Sequence, residues 1–364
     1  MVGGGKAGKS LAMDLAAAGQ RVAMVERGMI GGTCINVACI PTKTLVNSAR
    51  LLALARRAAQ FGIDLPGTPA VDIDLLRARK EDVVGTMVAG QRKSFLASGM
   101  DLAIGEAHFV VPRTVEVTDD AGTRRTLSGT NVVVNTGMAP FVPDIPGLRA
   151  AQPLTSTSIL ALKSLPRSII ILGGGYIGCE FASMLSIMGV QVTVVQRRGQ
   201  LLPREDADMS ASVAGTLAAD GATLVLGAEA AAVSRAGGLV VRVDEFLRTA
   251  ADNVWAAGDV AGTPQFTHAS WNDYRILKAN IAGGSWSTKD RLIPYCVFTT
   301  PELGRVGLSE TEALHGHESS EVIAVIQMAM LGDVPYQQLR DAVITHPTMA
   351  EGLQLLLSDA FLEP

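Results

Sequence analysis

With 364 residues, 48% of them apolar, the chain is long enough for more than one hydrophobic core, which excludes a peptide-sized or disordered protein. Its 31 basic and 35 acidic residues leave a net charge of −4 without a basic block or an aromatic-interleaved basic stripe, so no nucleic-acid partner is expected. Apolar runs stop well short of the roughly 20 residues of a membrane span, and four cysteines in a chain of this length with no evident secretion signal fit a reducing, cytoplasmic setting without a membrane partner.

The chain opens on Gly3-Gly4-Gly5-Lys6-Ala7-Gly8, a G-x-G-x-x-G spacing that leads into an apolar helical run from Leu11 to Ala18. A strand, Arg21 to Val25, follows and closes on Glu26, 23 residues after Gly3. Such glycines allow a tight turn and close approach of backbone to a pyrophosphate at a helix N-terminus, and the acid can bond a ribose. With strand, helix and acid in register, the three together predict a dinucleotide site.

Directly behind it, Gly31-Gly32-Thr33-Cys34-Ile35-Asn36-Val37-Ala38-Cys39-Ile40-Pro41-Thr42-Lys43 sets two cysteines five residues apart. On a regular helix that offset is about 140° of rotation and about 7.5 Å of rise, whereas a disulfide needs Cα atoms within about 7 Å. The pair therefore requires a distorted helix start, expected where Pro41 restricts Ile40. A helix N-terminus also favours thiolate over thiol. The stretch reads as a redox-active dithiol next to a flavin, at the head of a long helical pattern from Thr42 to Gln60. Structural zinc does not fit, because Cys179 and Cys296 are isolated and a closed site takes four ligands; no metal ligands are assigned.

Further on, Ala107 to Val111 reads as a strand holding His108, strands return near Asn131 to Asn135, and the proline-rich stretch from Pro140 to Gly147 reads as a linker. The opening construction then recurs. Ile169 to Leu172 precede Gly173-Gly174-Gly175-Tyr176-Ile177-Gly178, a helix from Cys179 to Met188 and a strand from Val190 to Val195. At the position equivalent to Glu26 stands Gln196, followed by Arg197 and Arg198. A neutral residue with two guanidiniums suits the extra phosphate of NADP, which an acid would repel, so NADPH is expected ahead of NADH. His315 and His317 flank Gly316 in a polar stretch and read as solvated, and the 13 methionines are scattered as core filling.

These motifs resemble the class I pyridine nucleotide-disulfide oxidoreductases, the family of glutathione, lipoamide and mercuric ion flavoenzymes, over nearly the whole chain. Gly31 to Lys43 matches the family's dithiol motif, Thr249 to Asp259 its second FAD motif, and Asn135-Thr136-Gly137 the turn ending its first FAD segment. Gly-Lys-Ala-Gly-Lys near the start, and Phe266-Thr267 through Asp273-Tyr274-Arg275, are most similar to the bacterial mercuric-reductase-like branch linked to reactive chlorine resistance. The resemblance implies an α/β fold with two Rossmann-like domains, for FAD and NAD(P), and a C-terminal α+β dimerisation domain. The expected order is FAD domain 1–150, NAD(P) domain 151–247, return to the FAD domain 248–290, and dimerisation domain 291–364, where Cys296 in Tyr295 to Thr299 reads as a buried apolar residue.

The resemblance also carries roles. Gly3, Gly5, Gly8, Glu26, Gly32, Thr33, Thr136, Gly137, Gly258 and Asp259 would bind FAD. Gly173, Gly175, Gly178, Gln196, Arg197 and Arg198 would bind the nicotinamide nucleotide, with Tyr176 as a lid over the flavin. Lys43 and Glu180 would pair beside the flavin ring, and His268 would lie near it. Cys39 would be the flavin-proximal sulfur and Cys34 the exchange thiol. His346, in His346-Pro347-Thr348 with Glu351 five residues on, would reach across a homodimer interface as acid and base for the partner's Cys34. The acceptor would be a soft metal ion of the Hg(II) or Cu(II) type, or alternatively a disulfide or dihydrolipoamide-type substrate; a third reading is a flavin redox sensor that does not turn over. The chain departs from the family pattern in three places: only Met1-Val2 precede the first glycines, a strand and turn are missing between Gly237 and Asp244, and much of the last domain's central sheet is missing around Leu314 to Val322. It also ends without the extra cysteine pair typical of mercuric reductases.

Overall fold

The computed structural model describes residues 1–143, 145, 148–149, 152–228, 244–248, 254–261, 263–264, 266–289, 291–306, 313–316, 318–345 and 348–357. In chain order the first elements are α1 (Lys6–Ala17), β1 (Ala23–Glu26), α2 (Thr33–Val37), α3 (Cys39–Arg56), α4 (Ile73–Ala97), β2 (Asp101–Ile104), β3 (Glu106–Val111), β4 (Thr114–Thr118), β5 (Arg124–Ser128) and β6 (Val132–Val134). There follow β7 (Ser168–Leu172), α5 (Tyr176–Ile187), β8 (Gln191–Gln196), α6 (Ala207–Ala219), β9 (Thr223–Leu226), β10 (Val254–Ala256) and α7 (Thr267–Ile281). The last are β11 (Tyr295–Val297), β12 (Glu302–Arg305), β13 (Ala313–Gly316), α8 (Ser319–Leu331), α9 (Tyr336–Asp341) and α10 (Gly352–Leu356). The chain divides into two compact units, one of residues 1–44, 73–163 and 234–291, the other of residues 45–72, 164–233 and 292–364.

The first unit is built on parallel strands whose centre is a single residue. β1 pairs with β2 and β6 with β10, and Val2 bridges Val25 on one side and Val134 on the other. Val2 N donates to Val133 O, Gly3 N to Val25 O, Val25 N to Met1 O and Asn135 N to Val2 O, all between 2.7 and 2.8 Å. Because side chains alternate along a strand, β6 feeds two cores. Val132 packs with Val2, Val25, Val115 and Val117 under the antiparallel sheet of β3, β4 and β5. Val133 packs with Ala7 and Leu11 of α1 and with Tyr274, Ile276 and Leu277 of α7. Phe95 of α4 and Met24 of β1, both fully buried, fill a third cluster with Ala12 and Met100. His108 is an exposed sheet residue paired to Glu116 at 3.3 Å.

In the second unit β7, β8 and β9 form a parallel sheet, with α5 and α6 packed against its strands. β11, β12 and β13 form an antiparallel sheet covered by α8. Glu205 and Arg305, both buried, pair at 2.6 Å, and Tyr295 donates to the same carboxylate. Where sequence finds the last domain's sheet shortened, the described residues carry three strands before α8 begins at Ser319.

One side chain ties distant pieces of the first unit together. Asn135, buried after β6, accepts from Gly8 N through Oδ1 at 2.9 Å and donates through Nδ2 to Ala257 O at 2.8 Å. Asn135→Ala leaves a buried N–H and a buried C=O without partners, each costing about 1–3 kcal/mol. The urea midpoint of the variant is expected to fall accordingly, and an unchanged midpoint contradicts this role.

Candidate redox site and nucleotide cradles

The two cysteines sit on two different helices. α2 carries Cys34 and ends at Ala38, whose φ of −140° and ψ of −102° break the helix, and α3 restarts at Cys39. The distortion required by the five-residue spacing is present, but at Ala38 rather than at Ile40. Ile40 and Pro41 lie inside α3, and a proline in a first turn forfeits only an N–H that has no intrahelical partner. The break turns the two sulfurs toward each other: both are free thiols, half-buried and hydrogen-bonded to one another.

Their surroundings separate them electrostatically. The bond from Cys34 draws the Cys39 thiol down from its usual value to about 6 against the opposing effect of burial, with help from the Thr267 hydroxyl and the Lys43 charge. Cys39 Sγ lies 3.2 Å from Thr267 Oγ1, at the start of α7. Cys34 moves the other way, its thiol pushed up because it donates to Cys39, is desolvated and faces the Cys39 charge. At neutral pH the pair holds a thiolate at Cys39 and the shared proton at Cys34. Thr267 is a site residue that motif reading did not single out; its signal was only the run Phe266-Thr267 after the second FAD motif.

The glycine fingerprints fold as a repeat. Gly3 and Gly173 have φ of +100° and +110°, and Gly5 and Gly175 form extended N-caps of α1 and α5 with no side chain over the helix end. Gly8 and Gly178 pack on Gly3 O and Gly173 O so closely that a Cβ would collide. The acid and its neutral counterpart also repeat. Glu26 Oε2 accepts from Gly4 N at 2.8 Å, while Oε1 accepts from Gly28 N and Met29 N at 2.9 and 3.0 Å. Gln196 Oε1 accepts from Gly174 N at 3.3 Å, and Nε2 donates to Gln200 O at 3.2 Å. Both side chains are buried and knit into their loops; Arg197 and Arg198, just past the end of β8, are both exposed, and Gly227 N donates to Arg198 O.

Around the first fingerprint the loops that a flavin dinucleotide would need converge. Gly32, with φ +78°, lies so close to Gly5 that a Cβ would stand 2.6 Å from its Cα. Gly137, with φ +66°, faces Thr33 Oγ1, and Thr136 is exposed beside it. Gly258, with φ +72°, begins a single 3-10 turn to Ala261 and donates its N–H to the buried Asp273 at 2.7 Å. This bare-backbone cradle at an uncapped helix start fits a pyrophosphate. Asp259 lies in that turn, and its side chain is outside the described atoms. Asp273, which also accepts from Thr263 and Arg291 at 2.7 Å, and Asn135 are supports whose role motif reading did not assign, although both stand in the runs that carry the resemblance.

Lys43 lies on α3, and Glu180 is buried on α5, where its Oε1 accepts from Phe298 N at 3.3 Å. Tyr176 begins α5, half-buried. His268 stacks on Phe266 with ring centres 5.5 Å apart. Glu351 stands before α10, its N–H bonded to Thr348 Oγ1 at 3.3 Å. His346, Pro347 and His317 lie outside the described residues, as does the side chain of His315. Among the described residues no group of three or more His, Cys, Asp or Glu is placed to hold a metal ion, and no helix is long and apolar enough to cross a membrane.

Residues 1–241 match the family described as pyridine nucleotide-disulphide oxidoreductase. The chain is 34% identical to the probable pyridine nucleotide-disulfide oxidoreductase RclA of Escherichia coli, covering 98% of each chain. It is 28% identical to a mercuric reductase of Staphylococcus aureus, covering 98% of this chain and 81% of that one. Among solved structures, the Cu(II) complex of the HOCl-induced flavoprotein disulfide reductase RclA from Escherichia coli superposes with a TM-score of 0.85 at 32% identity, covering 97% of this chain and 98% of the other. The paired thiols, the repeated nucleotide cradles and these matches agree, and the chain belongs to the pyridine nucleotide-disulphide oxidoreductases, flavoprotein enzymes that use FAD and NAD(P)H.

Proposed function

We propose that this enzyme delivers electrons from NADPH, by way of FAD and the Cys34/Cys39 dithiol, to a thiol-reactive acceptor, foremost a soft metal ion of the Cu(II) or Hg(II) type. The observation that carries this reading is the asymmetric thiol pair, with Cys39 Sγ against Thr267 Oγ1 and its thiol drawn down by Cys34, Thr267 and the Lys43 charge, and the Cys34 thiol pushed up. Bound FAD supplies the relay that accepts two electrons from the nicotinamide and passes them to sulfur. The chain's own part is to hold that cofactor on Gly3, Gly5, Gly8, Glu26, Gly32, Thr33, Thr136, Gly137, Gly258 and Asp259. It also keeps Cys39 as thiolate and presents Cys34 to the acceptor. Closing the Cys34–Cys39 disulfide releases two electrons, which reduce the acceptor, and the Cys34 proton, which needs a base. His346 supplies it, oriented by Glu351, from the second copy of a homodimer, and Lys43 with Glu180 forms the ion pair beside the flavin ring.

The metal reading is supported by soft-ligand chemistry, since thiolates favour such ions, and by relatives named for Cu(II) and mercury. A disulfide or dihydrolipoamide-type acceptor uses the same thiols and is the second reading, supported by a dihydrolipoyl dehydrogenase of Bacillus subtilis at 27% identity. NADPH leads NADH because Gln196 puts no charge at the end of β8 and Arg197 and Arg198 follow it.

Cys34→Ser is expected to abolish acceptor reduction while the flavin is still reduced by NADPH; equal turnover in the variant refutes the dithiol route. A sensor that does not turn over is separated by the number of NADPH molecules consumed per flavin with acceptor in excess. For the nucleotide, kcat/KM for NADPH is expected to exceed that for NADH, and parity or reversal overturns the reading of Gln196, Arg197 and Arg198. As pH falls, the Cys39 thiolate, held below its ordinary value, is expected to persist until about pH 6 and then be lost, which alkylation of the reduced enzyme against pH measures. Loss already near pH 9 contradicts the asymmetry.

A further inference from the structure

Cys39 has an evident cation, Lys43, four residues along the same helix; Cys34, pushed toward its neutral form, needs one of its own. The first turns of α1 supply it. Lys9, a single turn after Gly5 and only 5% exposed, is held by Gln91 of α4, whose Oε1 accepts from Nζ at 2.6 Å. Both anchors lead to the start of α2. Gln91 Cγ lies 3.5 Å from where a Cβ on Gly31 would stand, and Gly5 abuts Gly32, two residues before Cys34. A buried lysine is costly unless its charge is used. Gln91 is a neutral acceptor and Lys6 a like charge, so the charge that favours the ammonium is the one Cys34 carries when it ionises.

We propose that Lys9 is a positioning residue for the redox reaction, the fixed counter-charge that lets the exchange thiol Cys34 lose its proton when it attacks the acceptor. This rests on the dithiol reading above and adds to it a residue from the nucleotide-binding helix, so that α1 serves the pyrophosphate with its backbone and the exchange thiol with a side chain. Burial, and then Lys6, bring the Lys9 ammonium down to about 8, while Cys34 opposes them, so at neutral pH the group is still mostly charged. The influence is mutual: the Lys9 charge acts on Cys34 in the direction of the thiolate. Cys34 on ionising gives up one proton and becomes the nucleophile; Lys9 contributes charge alone and exchanges no electron.

The test is the rate of iodoacetamide alkylation of Cys34 and of Cys39, mapped by peptide mass, in FAD-loaded protein reduced with dithiothreitol at pH 7.5. In Lys9→Met the Cys34 rate is expected to fall about tenfold, the consequence of about one pKa unit, with Cys39 little changed, and Lys9→Arg is expected to restore most of it. Gln91→Leu keeps the charge but frees it, and should slow Cys34 in the same direction. If Lys9→Met does not retain FAD, Gln91→Leu decides: slower alkylation confined to Cys34 supports the proposal and a wild-type rate overturns it. Equal slowing of both cysteines in either variant also overturns it. Failure of NADPH to reduce the wild-type thiols, by contrast, defeats the dithiol reading and leaves the dithiothreitol result on Lys9 standing.

Discussion

The first unit depends on how one buried amide is satisfied. Asn135 joins the third glycine of the first fingerprint to Ala257, beside the Gly258 turn, and its backbone N–H reaches Val2, the single residue that completes the sheet between β1 and β6. Three stretches more than a hundred residues apart in sequence thereby meet at one point. Since each is a loop of nearly bare backbone, side-chain packing cannot fix them, and a polar group able both to donate and to accept is the economical solution. The helix start at Gly5, the turn at Gly137 and the turn at Gly258 form one cradle for this reason.

The dithiol is the second consequence of local backbone geometry. Breaking the chain at Ala38 separates α2 from α3, so that two cysteines which a continuous helix would hold apart come into hydrogen-bonding distance. Sharing one proton, they take unequal roles, and the difference follows from what each faces: Thr267 and Lys43 at Cys39, burial and Lys9 at Cys34. The negative charge is thus held on one sulfur while the other stays available for exchange, the division of labour that an electron relay through a disulfide requires.

Much of this is legible in the residues themselves. The glycine spacings fix α1 and α5 within a few residues, and the strand read as Arg21 to Val25 appears as Ala23–Glu26 because the acid that bonds the loop is itself the last strand residue. The pattern from Thr42 to Gln60 undershoots the start of α3 at Cys39, since a proline in the first turn looks like a boundary in sequence yet is tolerated in structure. What sequence cannot show is partnership. Asn135 and Asp273 stand in runs that the sequence singles out, but the segments each one joins are seen only in the structure. Gln196 reads as a nucleotide-facing residue, whereas its amide also holds its own loop through Gly174 and Gln200.

The central claim is that electrons reach an acceptor through Cys39, and an anaerobic titration of the purified protein with NADPH tests it most directly. A long-wavelength thiolate-to-flavin charge-transfer band that grows with added NADPH, and is lost in Cys39→Ser, is the result predicted. Flavin that bleaches with no such band, or a band that persists in Cys39→Ser, contradicts it.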